Sequence, residues 1–115
     1  MPESGKTVLV VDDVESKRYV VCRILREANY QTVEAGTGAE ALQRAREHRP
    51  DAIVLDMNLP DQSGLVTLKQ LRDAPETALI PVVFLSAEAQ SPSDRTRAAV
   101  RRTIAAMREP TVGWA

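Results

Sequence analysis

Blocks of apolar residues separated by polar stretches run along this chain, and they predict alternating strands and helices. Residues 7–11, 52–55 and 80–85 are nearly continuous aliphatic or β-branched runs, which are typical of strands covered by helices on both faces. Residues 31–35 instead alternate polar with apolar or small side chains, which indicates a half-exposed strand at a sheet edge.

After each predicted strand, apolar residues recur at helical spacing. We expect helices over residues 15–28, 37–48, 65–74 and 91–102. Thr37 and Glu40 fit a capping box at the second helix, and Asp13 or a near neighbour is expected to cap the first. This order of elements predicts the α/β class, with a doubly wound parallel sheet and helices on both of its faces.

The segment after the fourth predicted helix permits two interpretations. Residues 103–107 could form a fifth strand, or the preceding helix could continue through them, because Ala and Met favour helix. The sequence leaves both open.

Composition excludes several classes of protein. A length of 115 residues suits one domain. With 15 Lys plus Arg against 16 Asp plus Glu, the chain lacks the excess of positive charge that is typical of nucleic-acid-binding proteins. No run approaches the roughly 20 apolar residues that cross a bilayer, and the polar start is unlike a signal peptide, so we expect no membrane contact and a cytoplasmic location. A single cysteine, Cys22, and a single His48 exclude an internal disulfide and a Cys/His metal cluster, and Cys22 is expected in the core.

Polar side chains with metal and phosphoryl chemistry follow three of the predicted strands. Asp12 and Asp13 follow the first strand, Asp56 ends the third and Ser86 follows the fourth. Each acidic group alone is more readily a helix cap or a surface charge than part of a site. Together they are more specific, because the carboxyl ends of parallel strands meet at one edge of the sheet, where such folds bind ligands.

Carboxylates that converge raise one another's pKa unless a cation lies between them, and hard oxygen ligands favour Mg²⁺. A carboxylate beside such an ion can act as a nucleophile toward a phosphoryl group and form an aspartyl phosphate. The sequence therefore predicts a site for a divalent cation and a phosphoryl group.

Three segments resemble the receiver domain of two-component response regulators: residues 8–13, residues 53–60 followed by Gly64, and residues 81–87. The resemblance covers about residues 6–100, while residues 101–115 are atypical. It implies a flavodoxin-like fold with strand order 2-1-3-4-5. It also implies that Asp56 is the phosphoacceptor and that the chain takes a phosphoryl group from a phosphohistidine, without being an enzyme itself. The donor would be a sensor histidine kinase or a phosphotransfer protein.

The same resemblance assigns roles around Asp56. Asp12 and Asp13 would hold Mg²⁺ together with Asp56 and the backbone carbonyl of Asn58. Ser86 would hydrogen-bond a phosphoryl oxygen, and the small side chain of Ala87 would leave room for the phosphoryl group.

The C-terminal part departs from the family pattern. Receivers carry a Lys directly before a Pro at the end of the fifth strand, and here Arg108 falls at the Lys position with Glu109 before Pro110. Arg is a planar fork rather than a compact ammonium, so it is at best a substitute. No residues remain for a last helix, which should leave one side of the sheet and the first helix without part of their apolar cover. An uncovered apolar face favours association, so we expect the C-terminal segment to pair with a second copy or with another protein. The chain could equally be a fragment or an altered form of a longer protein.

Two functions of different classes follow. The first is a phosphoacceptor signalling domain that uses Mg²⁺. The second is a degenerate receiver that binds protein partners without being phosphorylated, which the C-terminal departures favour. An aspartate-based phosphatase is a weaker third reading, because Asn58 stands where such enzymes usually carry a second acid.

Overall fold

The computed structural model describes residues 5–85 and 92–108, except the side chains of residues 92–96 and of Arg108. Strands and helices alternate through these residues as the apolar pattern predicts. They are β1 (Thr7–Val11), α1 (Glu15–Glu27), β2 (Gln31–Ala35), α2 (Gly38–His48), β3 (Ala52–Asp56), α3 (Gly64–Asp73), β4 (Val82–Leu85) and α4 (Pro92–Arg108).

The strands form one parallel sheet in the order β2-β1-β3-β4. The predicted parallel sheet is therefore confirmed. β1 and β3 lie in the middle, and residues 8–11 and 52–55 are fully buried, which explains why these strands are almost continuously aliphatic. β2 lies at an edge, as its alternating pattern predicts. β4 begins two residues later than expected, at Val82, because Ile80 closes a turn onto the carbonyl of Thr77.

Each face of the sheet is covered by two of the described helices. Alternate side chains of β1 and β3 enter one cluster with α1 and α4 and a second cluster with α2 and α3. The first cluster centres on Val10, Val54, Leu25, Val100 and Met107. The second centres on Leu9, Ile53, Leu55, Ala41 and Leu71. Cys22 is buried in the first cluster, as expected.

Helix α4 resolves the open question about residues 103–107, because the helix continues through them to Arg108. The apolar positions keep helical spacing: Val100, Ile104 and Met107 all contact the first cluster. Buried Thr103 satisfies its hydroxyl within the helix by donating to the carbonyl of Ala99 at 2.6 Å. Among the described residues there is no fifth strand and no helix after α4, and residues 109–115 lie outside them.

The position of α4 bears on one expectation. We expected α1 to lack part of its apolar cover, and α4 packs beside α1 on the same face of the sheet. The long helix supplies part of this cover within the chain, while Tyr19 and Val20 of α1 stay exposed. Association through the C-terminal segment stays a prediction.

No helix in the described part of the chain is long and apolar enough to cross a membrane.

Candidate functional site

Three carboxylates meet at the carboxyl edge of the sheet, as the sequence predicts. β1 and β3 pair in parallel with Val11 opposite Leu55, so Asp12 and Asp56 occupy neighbouring positions at the ends of adjacent strands. One oxygen from each of Asp12, Asp13 and Asp56 lies within 4.8 Å of the others. The parallel register therefore creates an acidic cluster from residues 44 positions apart in sequence, from 12 to 56.

Asp12 is the buried member of the cluster, with none of its surface exposed. Its Oδ1 accepts the backbone N–H of Val14 at 2.9 Å. Its Oδ2 is the one buried side-chain N or O atom in the described residues that lacks a hydrogen-bond partner. Burial raises the pKa of Asp12 above its ordinary value, and the nearby carboxylates of Asp56 and Asp13 raise it further.

Asp13 does not cap the first helix as we expected. Val14 occupies the N-cap position of α1, and no side chain caps it. Val14 has no acceptor atom in its side chain, and the Asp13 carboxylate lies in the acidic cluster instead. The first turn of α1 thus gives up a side-chain cap where the cluster is built.

The cluster fits a hard divalent cation. A buried carboxylate oxygen without a partner is costly, and a cation between the three carboxylates would satisfy it while removing their mutual repulsion. Oxygen ligands from one or two carboxylates are typical of Mg²⁺. Asp12, Asp13 and Asp56 are the side chains that would hold it.

The loop after Asp56 is closed tightly. The N–H of Gly64 donates to the carbonyl of Met57 at 2.7 Å, and Asn58 forms a bridge with Ser63. A side chain at position 64 would bring its Cβ within 2.5 Å of the Asp56 carbonyl oxygen, so only glycine permits this approach. The N–H of Asn58 donates to Oδ1 of Asp56 at 3.2 Å, which fixes the half-buried carboxylate at the mouth of the site.

Two further predicted site residues follow β4 in the sequence. Ser86 and Ala87 lie outside the described residues, directly after Leu85, which pairs with Asp56. Their roles stay predictions.

The main chain of Arg108 lies away from the site. It ends α4, and Lys6, directly before β1, donates from Nζ to the carbonyl of the adjacent Met107 at 3.2 Å. The main chain of Arg108 therefore lies at the amino end of the sheet. The length of one strand, about 16 Å, separates it from the carboxylates at the other end. Arg108 reaches this end because residues 103–107 continue α4 instead of returning as a strand. The side chain of Arg108 lies outside the described residues, so its role as a substitute for the usual Lys stays a prediction.

Two residues that sequence reasoning missed support the site. Arg18 of α1 donates from Nη1 to the carbonyl of Asp12 at 2.7 Å and from Nε to Glu34 of β2 at 2.8 Å, which fixes the main chain beside the cluster. Asp61 accepts backbone N–H groups at the start of α2. Neither has a sequence signature, because each contact joins segments that only the folded sheet brings together.

Comparison with known proteins settles the family. The sequence profile described as "Response regulator receiver domain" matches residues 8–104. The chain belongs to this family. It is thus a receiver domain of the two-component signalling systems, as its motifs suggested.

Relatives of known name agree with this assignment. The polar-differentiation response regulator DivK of Brucella anthropi is 40% identical over 82 residues, which are 71% of this chain and 67% of DivK. The chemotaxis response regulator CheY4 of Vibrio cholerae superposes with a TM-score of 0.70 at 34% identity, over 84% of this chain and 80% of CheY4. A putative response regulator of Chloroflexus aurantiacus gives a TM-score of 0.79 at 26% identity, over 91% of this chain and 99% of that one.

Proposed function

We propose that this receiver domain accepts a phosphoryl group on Asp56 from a phosphohistidine and that it requires Mg²⁺ to do so. The observation that carries the proposal is the cluster of Asp12, Asp13 and Asp56, in which Asp56 is the partly exposed carboxylate at the end of β3. A donor can reach Asp56, whereas Asp12 is buried.

The residues divide the chemistry between them. One Asp56 carboxylate oxygen attacks phosphorus, and the bond from phosphorus to the donor nitrogen breaks as the imidazole leaves. When bound, Mg²⁺ supplies positive charge that offsets the charge on the transferred oxygens. Asp12, Asp13 and Asp56 would hold the ion with the Asn58 carbonyl, and the Asn58 N–H orients the Asp56 carboxylate. Ser86 contacts the phosphoryl group, and Ala87 leaves space for it.

The partners follow from the same chemistry. The phosphoryl donor is a sensor histidine kinase or a phosphotransfer protein, and this chain is an acceptor rather than an enzyme that turns over a substrate. Its place of action is the cytoplasm, where such donors present their phosphohistidines. A second copy or another protein that binds the C-terminal segment is a further proposed partner.

A phosphorylation-independent docking module is the competing function, and one observation favours it. α4 takes residues 103–107 into a helix, so the main chain of Arg108 lies at the opposite end of the sheet from Asp56, and the described residues contain no fifth strand to bring a Lys beside it. A receiver without this contact keeps its acceptor but loses part of the machinery that senses the phosphoryl group.

Labelling with a small donor separates the two functions. The protein is incubated with Mg²⁺ and acetyl phosphate beside an ordinary receiver, and both are weighed by intact mass spectrometry. We expect one phosphoryl adduct on this chain, and none when EDTA replaces Mg²⁺. A chain that stays unmodified while the ordinary receiver is labelled would make it a docking module.

A further inference from the structure

Asp61 joins the loop that follows the phosphoacceptor to the start of a different helix. Its Oδ1 accepts the N–H of Gly38 at 2.8 Å, and its Oδ2 accepts the N–H of Ala39 at 3.0 Å. These are two of the N–H groups that the first turn of a helix leaves without partners. A carboxylate from 22 or more residues away thus caps α2.

The local cap of α2 is a separate feature. Thr37 accepts the N–H of Glu40 on its hydroxyl at 3.0 Å, and Glu40 reaches back to the N–H of Gly36 at 2.9 Å. This capping box, which the sequence predicts, uses residues of the α2 segment alone. The Asp61 carboxylate is therefore a second cap on a helix start that already has a local one.

The neighbouring residue, Gln62, attaches this end of the loop to α3 and lies against the start of α2. Gln62 donates from Nε2 to Thr67 Oγ1 and to Gln70 Oε1, each at 2.7 Å. A Cβ at Gly38 would come within 2.5 Å of the Gln62 amide nitrogen, so the start of α2 touches the loop directly. The end of the loop near Asp61 is fixed from outside, while the beginning is fixed by Asp56 and Gly64.

Asn58 lies between these two anchors and is exposed. Its carbonyl is the one main-chain ligand that the proposed function assigns to Mg²⁺, and a main-chain carbonyl can be aimed only by holding the backbone on either side of it. Replacing a group that orients a metal ligand typically lowers metal affinity about 10- to 100-fold.

We propose that Asp61 is a positioning residue for the metal site: by binding the first N–H groups of α2, it holds the loop so that the Asn58 carbonyl faces the three carboxylates. The inference rests on the proposed function and names a residue that acts through Asn58 and not on the ion. Those N–H groups also favour the ionised carboxylate, which lowers the pKa of Asp61.

The test compares Asp61→Ala with Thr37→Ala, which removes a cap at the same helix start but leaves the loop untouched. Mg²⁺ affinity is measured by isothermal titration well below the melting temperature of every variant. We expect Asp61→Ala to weaken Mg²⁺ binding about tenfold, Asp61→Asn to fall between it and the wild type, and Thr37→Ala to stay within about twofold of the wild type.

Labelling by acetyl phosphate at saturating Mg²⁺ gives a second readout. It should return to about the wild-type level in Asp61→Ala, because the acceptor is unchanged. Wild-type affinity in Asp61→Ala, or equal weakening in Thr37→Ala, would overturn the role of Asp61 and leave the proposed function standing. A wild-type protein that binds no Mg²⁺ would overturn both.

Discussion

Arg102 of α4 donates a hydrogen bond from its guanidinium to the main-chain carbonyl of Phe84 in β4 at 2.9 Å. In a parallel pair, alternate residues turn their N–H and C=O groups to the same neighbour. Ile53 donates to the carbonyl of Pro81, so residues 81, 83 and 85 face β3 and Phe84 faces the other way. Arg102 therefore covers the edge of β4 that lies away from the sheet, where a fifth strand would pair.

An arginine at this place predicts an effect on association. A strand edge with free backbone groups pairs readily with another chain, and a charged side chain over the edge opposes this. We expect Arg102→Ala to increase self-association in sedimentation velocity, whereas Arg101→Ala, the exposed neighbouring change, leaves the wild-type distribution unaltered. Equal sedimentation of all three proteins would show that Arg102 does not protect the edge.

The packing of α4 beside α1 predicts a large stability difference within one helical turn. Met107 is buried in the cluster with α1, while Ala105 is exposed. Met107→Ala should lower the free energy of unfolding by about 2 to 3 kcal/mol, since a large side chain leaves the core. Ala105→Ser should change it by less than about 0.5 kcal/mol. Urea titration followed by circular dichroism measures both changes. A Met107→Ala protein as stable as the wild type would contradict the packing of α4 beside α1.

The raised pKa of Asp12 predicts a pH dependence when no divalent ion is present. A folded-state pKa above the unfolded value means that the ionised carboxylate opposes folding at neutral pH, and that protonation relieves this as the pH falls through the raised pKa. In EDTA at pH 7, Asp12→Asn should therefore be more stable than the wild type. The difference should shrink as the pH falls toward the ordinary Asp value. A wild type that is more stable than Asp12→Asn at pH 7 would contradict the prediction that the ionised Asp12 carboxylate destabilises the fold.

Binding of Mg²⁺ should offset the destabilisation by the Asp12 carboxylate and raise the melting temperature. An ion that binds the folded state alone raises the melting temperature in proportion to the logarithm of its concentration once the site is filled. We expect such a rise for the wild type, its loss in Asp13→Asn, and its retention in Asp73→Asn, whose carboxylate lies in α3 and pairs with Lys69. A rise that persists in Asp13→Asn would assign the ion to another place.

Most of the fold could be predicted because its signals are local. The buried strands β1 and β3 are continuous aliphatic runs, and Thr37 with Glu40 marks the start of α2 within four residues. The acidic cluster could be predicted for a related reason, since parallel strands bring their carboxyl ends to one edge. Asp12, Asp13 and Asp56 needed only the order of elements.

The remaining features depend on contacts between distant segments. Residues 103–107 fit a strand or a helix by propensity, and their packing against α1 favours the helix. The expected place of Arg108 depends on the same ambiguity, because a strand would have carried it toward Asp56 and the helix carries its main chain away. The Asp61 contact with Gly38 is likewise visible only after α2 and the loop are placed side by side.

The identity of the phosphorylated residue tests the central claim most directly. After labelling with acetyl phosphate and Mg²⁺, borohydride reduces an aspartyl phosphate to homoserine, and peptide mass spectrometry locates the converted residue. We expect homoserine at position 56 in the wild type and none in Asp56→Asn or in a sample without the phosphoryl donor. Conversion at Asp13 or another residue, or an unchanged Asp56 in labelled protein, would contradict the assignment of Asp56 as the phosphoacceptor.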